Sequence, residues 1–389
     1  MRIASPIFTA EEICRRQSAV INKLNEEDCF IALSFHNSYY LSGLPMLQWG
    51  RFAATILFKD GRHVLIIPEF ETGAAAIESP ITEIHTYRDS DGPTHTKVVQ
   101  LIAKTLKERE VKIAGVEAEG IPASFQTLLT KQMPNVVFVD RTDAVNLTRF
   151  ISSDEEFCYI QEACRLTDIG MHKVVEMIKK GSTEIEVSRA ACNAMKDAAK
   201  TSYPLNVSCY LQQGQRSDQC HALPDDLFIN PGNMVEVVIE AEVAYYQASL
   251  ERPILVGDVS TEIHQACLIA IEAFNAGFSV AKPGGQFANI DKAARAVFHA
   301  NGFDQIPNGS GLMRGIVHHT GGRSELGEVR HYNTRILEPG MVLTIEPWAI
   351  IPEVGSPREC DTILITQNGA EIINTFPRGI TQVANSNAL

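Results

Sequence analysis

No two of the nine cysteines are spaced Cys-x-x-Cys; they lie scattered through 389 residues. That excludes a thiolate zinc site and reads as free thiols in a reducing compartment. Apolar runs are short: none approaches the roughly 20 residues of a bilayer span. The opening residues, MRIASPIFTAEEICRR, carry no apolar signal core. A cytoplasmic protein with no membrane partner is expected. Positive charge is in deficit, with 34 Lys and Arg against 47 Asp and Glu, a formal net charge of −13 and a pI near 5.4. Phosphate binding needs concentrated cations, so nucleic acid is not the expected partner. Short-period repeats and low-complexity segments are also lacking.

What is present is ordinary globular material. Hydrophobic residues make up 45% and charged residues 21%, and the length allows two domains, each with its own core. Thr9 with Glu12 has capping-box spacing and predicts a helix to about Leu24. Cys29 to Phe35 reads as a strand. Phe52 to Phe58 and His63 to Ile67, joined by Lys59-Asp60-Gly61-Arg62, read as a β-hairpin. Helices at about 94–108 and 122–131 each lead into a strand, at 111–116 and 136–139, which marks an α/β unit. Ser153 with Glu156, and Thr183 with Glu186, are two more capping boxes that open long helices. We place the domain boundary near Ser152. Beyond it, β-rich runs fall at 206–212, 234–256, 314–319, 341–350 and 361–374, with helices at about 259–281 and 286–301. Gln367-Asn368-Gly369 is a hairpin turn signal.

One stretch concentrates chemistry. It runs from His221 through the breaker Pro231-Gly232 and a β-rich run to Ser249-Leu250-Glu251-Arg252. Two later pieces answer it: His318-His319-Thr320-Gly321-Gly322-Arg323 and Glu346-Pro347-Trp348. One imidazole, two carboxylates and a guanidinium suffice for acid–base hydrolysis of a small charged substrate.

Here the chain resembles the pita-bread family of creatinase, aminopeptidase P and prolidase. The marks are Glu338-Pro339-Gly340-Met341-Val342 with Ile345-Glu346-Pro347, and Ala370-Glu371 before Asn374-Thr375-Phe376-Pro377. The resemblance covers nearly the whole chain. It implies an α/β N-terminal domain (1–152) and an α+β pita-bread catalytic domain (153–389). Metal-dependent members use two Asp, one His and two Glu to hold two ions. Those positions fall on Val238, Ser249, Leu312, Glu346 and Cys360, and only Glu346 keeps its ligand. Glu240 and Glu242 lie near the first lost position, but on a strand they need not face the pocket. We therefore expect no metal and no other cofactor.

The resemblance to creatinase-type members implies roles for the rest. His221 matches the proton shuttle, and an imidazole titrates in the range where it can both take and give a proton. Taken alone, His221 is a turn histidine at a strand mouth; the matching Glu251 and Glu346 favour catalysis. Those two carboxylates would hold a cationic amidinium or guanidinium. His319 matches the family's second His and Arg323 the Arg that follows it; both would bind substrate, Arg323 by clamping a substrate carboxylate. Tyr246 and Cys360 fall in the substrate shell. Trp49-Gly50-Arg51 matches a loop that completes the partner subunit's pocket, so Arg51 and Trp49 imply a homodimer with shared pockets. The expectation is a metal-independent hydrolase of a C–N bond in a small carboxylate-bearing guanidine or amidine compound. Ectoine hydrolase-like ring opening, a metal-dependent Xaa-Pro aminopeptidase or dipeptidase, and a non-catalytic small-molecule binding protein are the alternatives.

Overall fold

The computed structural model describes residues 6–46, 51–179, 181–200, 205–311, 313–314 and 327–384. The chain divides into two compact units, one ending at Arg149 and one beginning at Phe150.

The first unit contains α1 (Ala10–Ile21), β1 (Cys29–Ala32), α2 (Phe35–Ser42), β2 (Ala54–Phe58), β3 (Val64–Pro68), α3 (Thr72–Glu78), β4 (Glu83–Tyr87), α4 (Thr94–Glu108), β5 (Ile113–Val116), α5 (Ala123–Gln132), β6 (Val137–Asp140) and α6 (Thr142–Arg149). One six-stranded sheet in the order β4-β3-β2-β1-β5-β6 organises it. The β1–β2 and β2–β3 pairs are antiparallel; the β3–β4, β1–β5 and β5–β6 pairs are parallel. The Thr9 hydroxyl accepts from the Glu12 amide at 3.2 Å and starts α1 as its spacing predicts. The run Cys29 to Phe35 is not one strand. The Ser34 hydroxyl accepts from the Asn37 amide and opens α2 at Phe35. The buried Glu117 carboxylate takes the amides of Leu33 and Ser34 at 3.1 and 2.9 Å, so these donors leave the sheet without losing partners.

The second unit contains α7 (Asp154–Lys179), α8 (Glu184–Ala198), β7 (Leu205–Gln213), β8 (Asn233–Val243), β9 (Tyr246–Val256), α9 (Thr261–Val280), α10 (Phe287–Ala300), β10 (Val342–Ile345), β11 (Asp361–Ile365), β12 (Ala370–Ile372) and β13 (Thr381–Val383). Two sheets form, β13-β9-β8-β7 and β10-β11-β12. Single bridges, Glu251 to Cys360 and Met313 to Leu343, stitch their neighbourhood together. Both capping boxes close: Ser153 and Glu156 bond reciprocally at the head of α7, and Thr183 and Glu186 do so at α8. The run expected at 314–319 lies outside the described residues beyond Arg314.

Helix α9 corrects the reading of apolar runs, because it has the length and apolarity of a bilayer span. It is a packing helix of this unit. Ile269 and Ala273 sit in a core cluster with Ala294 and Phe298 of α10. A Cβ at Gly277 would come within 3.2 Å of Ile290 and 3.4 Å of Ile345, so α10 and β10 press directly on its backbone.

Candidate functional site

Strand periodicity builds the floor of the site. In β7, β8 and β9 successive side chains alternate between faces. The register places Tyr210 opposite Val238, Ser208 opposite Glu240 and Asn206 opposite Glu242. Across the next pair, Val238 meets Glu251, Glu240 meets Ser249 and Glu242 meets Gln247. All of these except Ser249 line a cavity of about 570 Å³. On the opposite face, Val237, Ile239, Ala241, Ala248 and Leu250 are fully or almost fully buried, and Ile239 lies against Gly170 of α7.

The three expected catalytic groups border the same cavity. His221, Glu251 and Glu346 all line it, beside Trp348 and Arg358. Glu251, Glu346 and Cys360 offer donor atoms that lie within 4.8 Å of one another. Glu251 is buried, and its Oε2 has no hydrogen-bond partner among the described residues. Burial raises its carboxyl to about 8; Glu346 adds to the rise, and Arg358 and Arg314 oppose it. Burial likewise lifts Glu242 to about 7, with Glu240 adding to it. The Cys360 thiol lies 3.8 Å from Glu346 Oε2 and is pushed well up by burial, which makes it an inert neighbour rather than a nucleophile. His221 is exposed on the loop before β8, 3.9 Å from the neighbouring Cys220 sulfur.

Two buried arginines enter that sequence reading did not assign. Arg358 donates to Cys220 Sγ at 3.1 Å and to the Ser217 carbonyl at 3.2 Å, and lies over the Trp348 ring at 5.1 Å. Arg314 donates to Gln247 Oε1 at 3.0 Å and Glu240 Oε1 at 3.3 Å, and its Nη2 is 3.5 Å from Glu346 Oε2. Glu240 and Glu242 also face the cavity. The signal for both was available in the period-two pattern of β8.

Tyr246 is corrected. It stands on the α7 face of β9, donates to Glu156 Oε1 at 2.8 Å and stacks on Tyr159 at 6.0 Å. Gln247, one residue on, takes the cavity face. Tyr246→Phe should therefore cost about 0.5–1.5 kcal/mol of stability, more if Glu156 finds no new donor, and leave turnover unchanged. Chemical denaturation and steady-state kinetics on the same variant check this. Arg51 belongs to the first unit, where it pairs with Asp89 at 2.5 Å. Trp49, His319, Arg323 and Leu312 lie outside the described residues.

A parallel-and-antiparallel N-terminal sheet unit followed by this carboxylate-lined α+β unit defines a hydrolase of the pita-bread class. Residues 158–367 match Metallopeptidase family M24 and residues 16–151 match the Creatinase/Prolidase N-terminal domain; the chain belongs to this family. It is similar to a creatinase from a Bacillus species, 27% identical over 96% of this chain and 93% of that protein. It is similar to the Xaa-Pro dipeptidase of Pyrococcus horikoshii, 29% identical over 91% of this chain and 94% of that protein. The solved Xaa-Pro dipeptidase from Bacillus anthracis shares the fold, with a TM-score of 0.84 at 22% identity over 96% of this chain and 100% of that one.

Metallopeptidase members imply a bound metal, and at the ligand positions that the resemblance assigns, the described residues do not supply the two-ion donor set. Val238 faces the cavity with no donor atom. Ser249 is fully buried, and its backbone amide is bonded to Thr362 Oγ1. Of the ligand positions carried over by resemblance, Glu346 alone keeps its carboxylate, and the Arg314 guanidinium already lies against it.

Proposed function

We propose that this family hydrolase cleaves a C–N bond in a small substrate carrying a guanidinium or amidinium group and a carboxylate, without a metal ion. The observation that carries the reading is the convergence of Glu251 and Glu346 on one point of the cavity, with Glu251 Oε2 buried and unpartnered among the described residues. A buried carboxylate oxygen without a donor is costly, and a planar cation with forked N–H groups supplies donors to both carboxylates. His221, on the same cavity, takes a proton from water as it attacks the amidine carbon and returns it to the leaving nitrogen. Arg323 is assigned the substrate carboxylate by resemblance. Ectoine-like rings fall within the same chemistry.

A second reading has its own support. Most of the named relatives are dipeptidases or peptidases, which favours a metal-dependent Xaa-Pro dipeptidase. Turnover of creatine, guanidinoacetate, ectoine and Xaa-Pro dipeptides, with and without chelator, separates the two. The first reading expects chelator-insensitive cleavage of a non-peptide compound and no stoichiometric metal by elemental analysis. Dipeptide cleavage abolished by chelator would establish the second.

The homodimer is also a proposal. Mixing Arg51→Ala with His221→Ala protein should restore up to about half activity per mixed dimer if each pocket draws Arg51 from the partner subunit. Confirmed subunit exchange with no regained activity rejects it.

A further inference from the structure

We propose that Arg314 is a built-in counter-cation that reserves the cavity for singly charged organic cations and rejects divalent metal ions. The idea rests on the metal-independent reading above and adds the residue responsible.

Arg314 is held both by its backbone and by its guanidinium. Met313 bridges to Leu343 of β10, and the Arg314 amide donates to the Val342 carbonyl at 2.8 Å. Pairing with β10 therefore fixes where the side chain starts. The guanidinium is buried, at 5% exposure, and spans three strands' worth of acceptors. Its Nη1 reaches Glu240 of β8 and Gln247 of β9, and its Nη2 faces Glu346 just beyond β10. A forked guanidinium can serve such divergent acceptors where a point cation could not.

The charge placement follows. Glu240, Glu242, Glu251 and Glu346 all line this cavity. Arg358 acts on Glu251, and Arg314 is the cation against Glu346; without Arg314, the donor cluster of Glu251, Glu346 and Cys360 would suit a divalent ion, because oxygen and thiol donors converge there. Arg314 supplies a permanent positive charge against Glu346 itself. A divalent ion at that cluster meets twice the repulsion that a monovalent amidinium meets. The carboxylates also attract a divalent ion twice as strongly, and the Arg314 charge offsets that gain by one added unit of repulsion per unit of ligand charge. Glu251 Oε2, which has no hydrogen-bond partner among the described residues, is the acceptor proposed for the organic cation.

The test uses ion binding, not activity. Purified wild-type protein and Arg314→Gln are titrated with Zn²⁺ and Mn²⁺ by calorimetry, with thermal shift as a second readout. Wild type should take up no stoichiometric ion at millimolar concentration. Arg314→Gln should bind about one ion per chain, at least roughly 100-fold tighter than wild type, on the scale of removing one close unit charge. Arg314→Lys, which keeps the charge, should behave as wild type. Should Arg314→Gln not fold, the double variant R314Q/E240Q removes one cation and one anion together and keeps the Glu251, Glu346 and Cys360 donors; it too should gain the ion. A folded neutral variant that takes up no ion overturns the role of Arg314 while leaving the metal-independent reading intact. Stoichiometric ion on the wild type overturns both.

Discussion

Replacing His221 with asparagine should lower kcat by about 10²–10⁴-fold, the usual size of a lost general acid–base group. The KM for the true substrate should change little, because the proposed cation contacts are with Glu251 and Glu346. His221 is exposed on its loop. Its replacement should therefore move stability by no more than about 0.5 kcal/mol, which keeps the kinetic effect interpretable. Asparagine is the right substitute, since it retains polarity beside Cys220, whose sulfur accepts from Arg358. Turnover within a few-fold of wild type would remove His221 from the mechanism. The proton would then have to pass through another group on the cavity wall.

The second large effect is on the pH dependence of cation binding. Burial, with Glu346 adding to it, holds the Glu251 carboxyl up near 8. A guanidinium ligand prefers the carboxylate, so below that value it must displace a proton. Affinity for a permanently cationic guanidine should rise by about tenfold per pH unit toward 8 and level off above it. Binding at pH 7 should release close to one proton, measurable by calorimetry in buffers of different ionisation enthalpy. Glu251→Gln should flatten the pH profile and weaken binding at high pH by about 10–100-fold, as expected for a lost charge-assisted hydrogen bond. The sign for folding is opposite. A carboxyl raised in the fold favours its protonated form, so its contribution to stability is present below the ordinary value of 4.5 and is lost as pH rises through about 8. Affinity constant from pH 6 to 9, with no proton release, would contradict a Glu251-based cation site.

The parts of this fold legible in the sequence are those set by neighbours along the chain. The capping boxes at Ser153–Glu156 and Thr183–Glu186 form as spelled, because both halves of each bond lie three residues apart. The Thr366–Gly369 turn closes between β11 and β12, where Asn-Gly marks it. Helix α2 was hidden because the apolar letters of β1 run on past Ala32, and only the Ser34 cap announces the change. Strand β4 was hidden for another reason. It is mostly half-exposed and is recruited by parallel pairing with β3, which no local pattern records.

The site divides the same way. The family resemblance drew His221, Glu251 and Glu346 together across 125 residues, and all three line one cavity. Glu240 and Glu242 could have been added from the alternation of β8 once its register with Glu251 was set. Tyr246 went astray because a residue count along a motif does not say which face of a strand is reached. Arg314 could not be assigned at all. Its neighbours Glu240, Gln247 and Glu346 are 74, 67 and 32 residues away, and only the pairing of its backbone with β10 brings them near.

The two-residue turn between β8 and β9 has a consequence for how this protein can change over time. Ala244 and Tyr245 both take positive φ, at 51° and 69°, and Val243 pairs directly with Tyr246 across the turn. That geometry leaves no slack between the strands. A single-codon insertion or deletion anywhere in 233–243 or 246–256 would invert the downstream or upstream half of its strand, carrying carboxylates onto α7 and aliphatics into the cavity. Substrate preference in this lineage is therefore open to substitution at Val238, Glu240, Glu242, Gln247 and Glu251, but closed to odd-numbered length change. Loop remodelling must fall outside the hairpin, and the place it can fall is the stretch before it that carries His221.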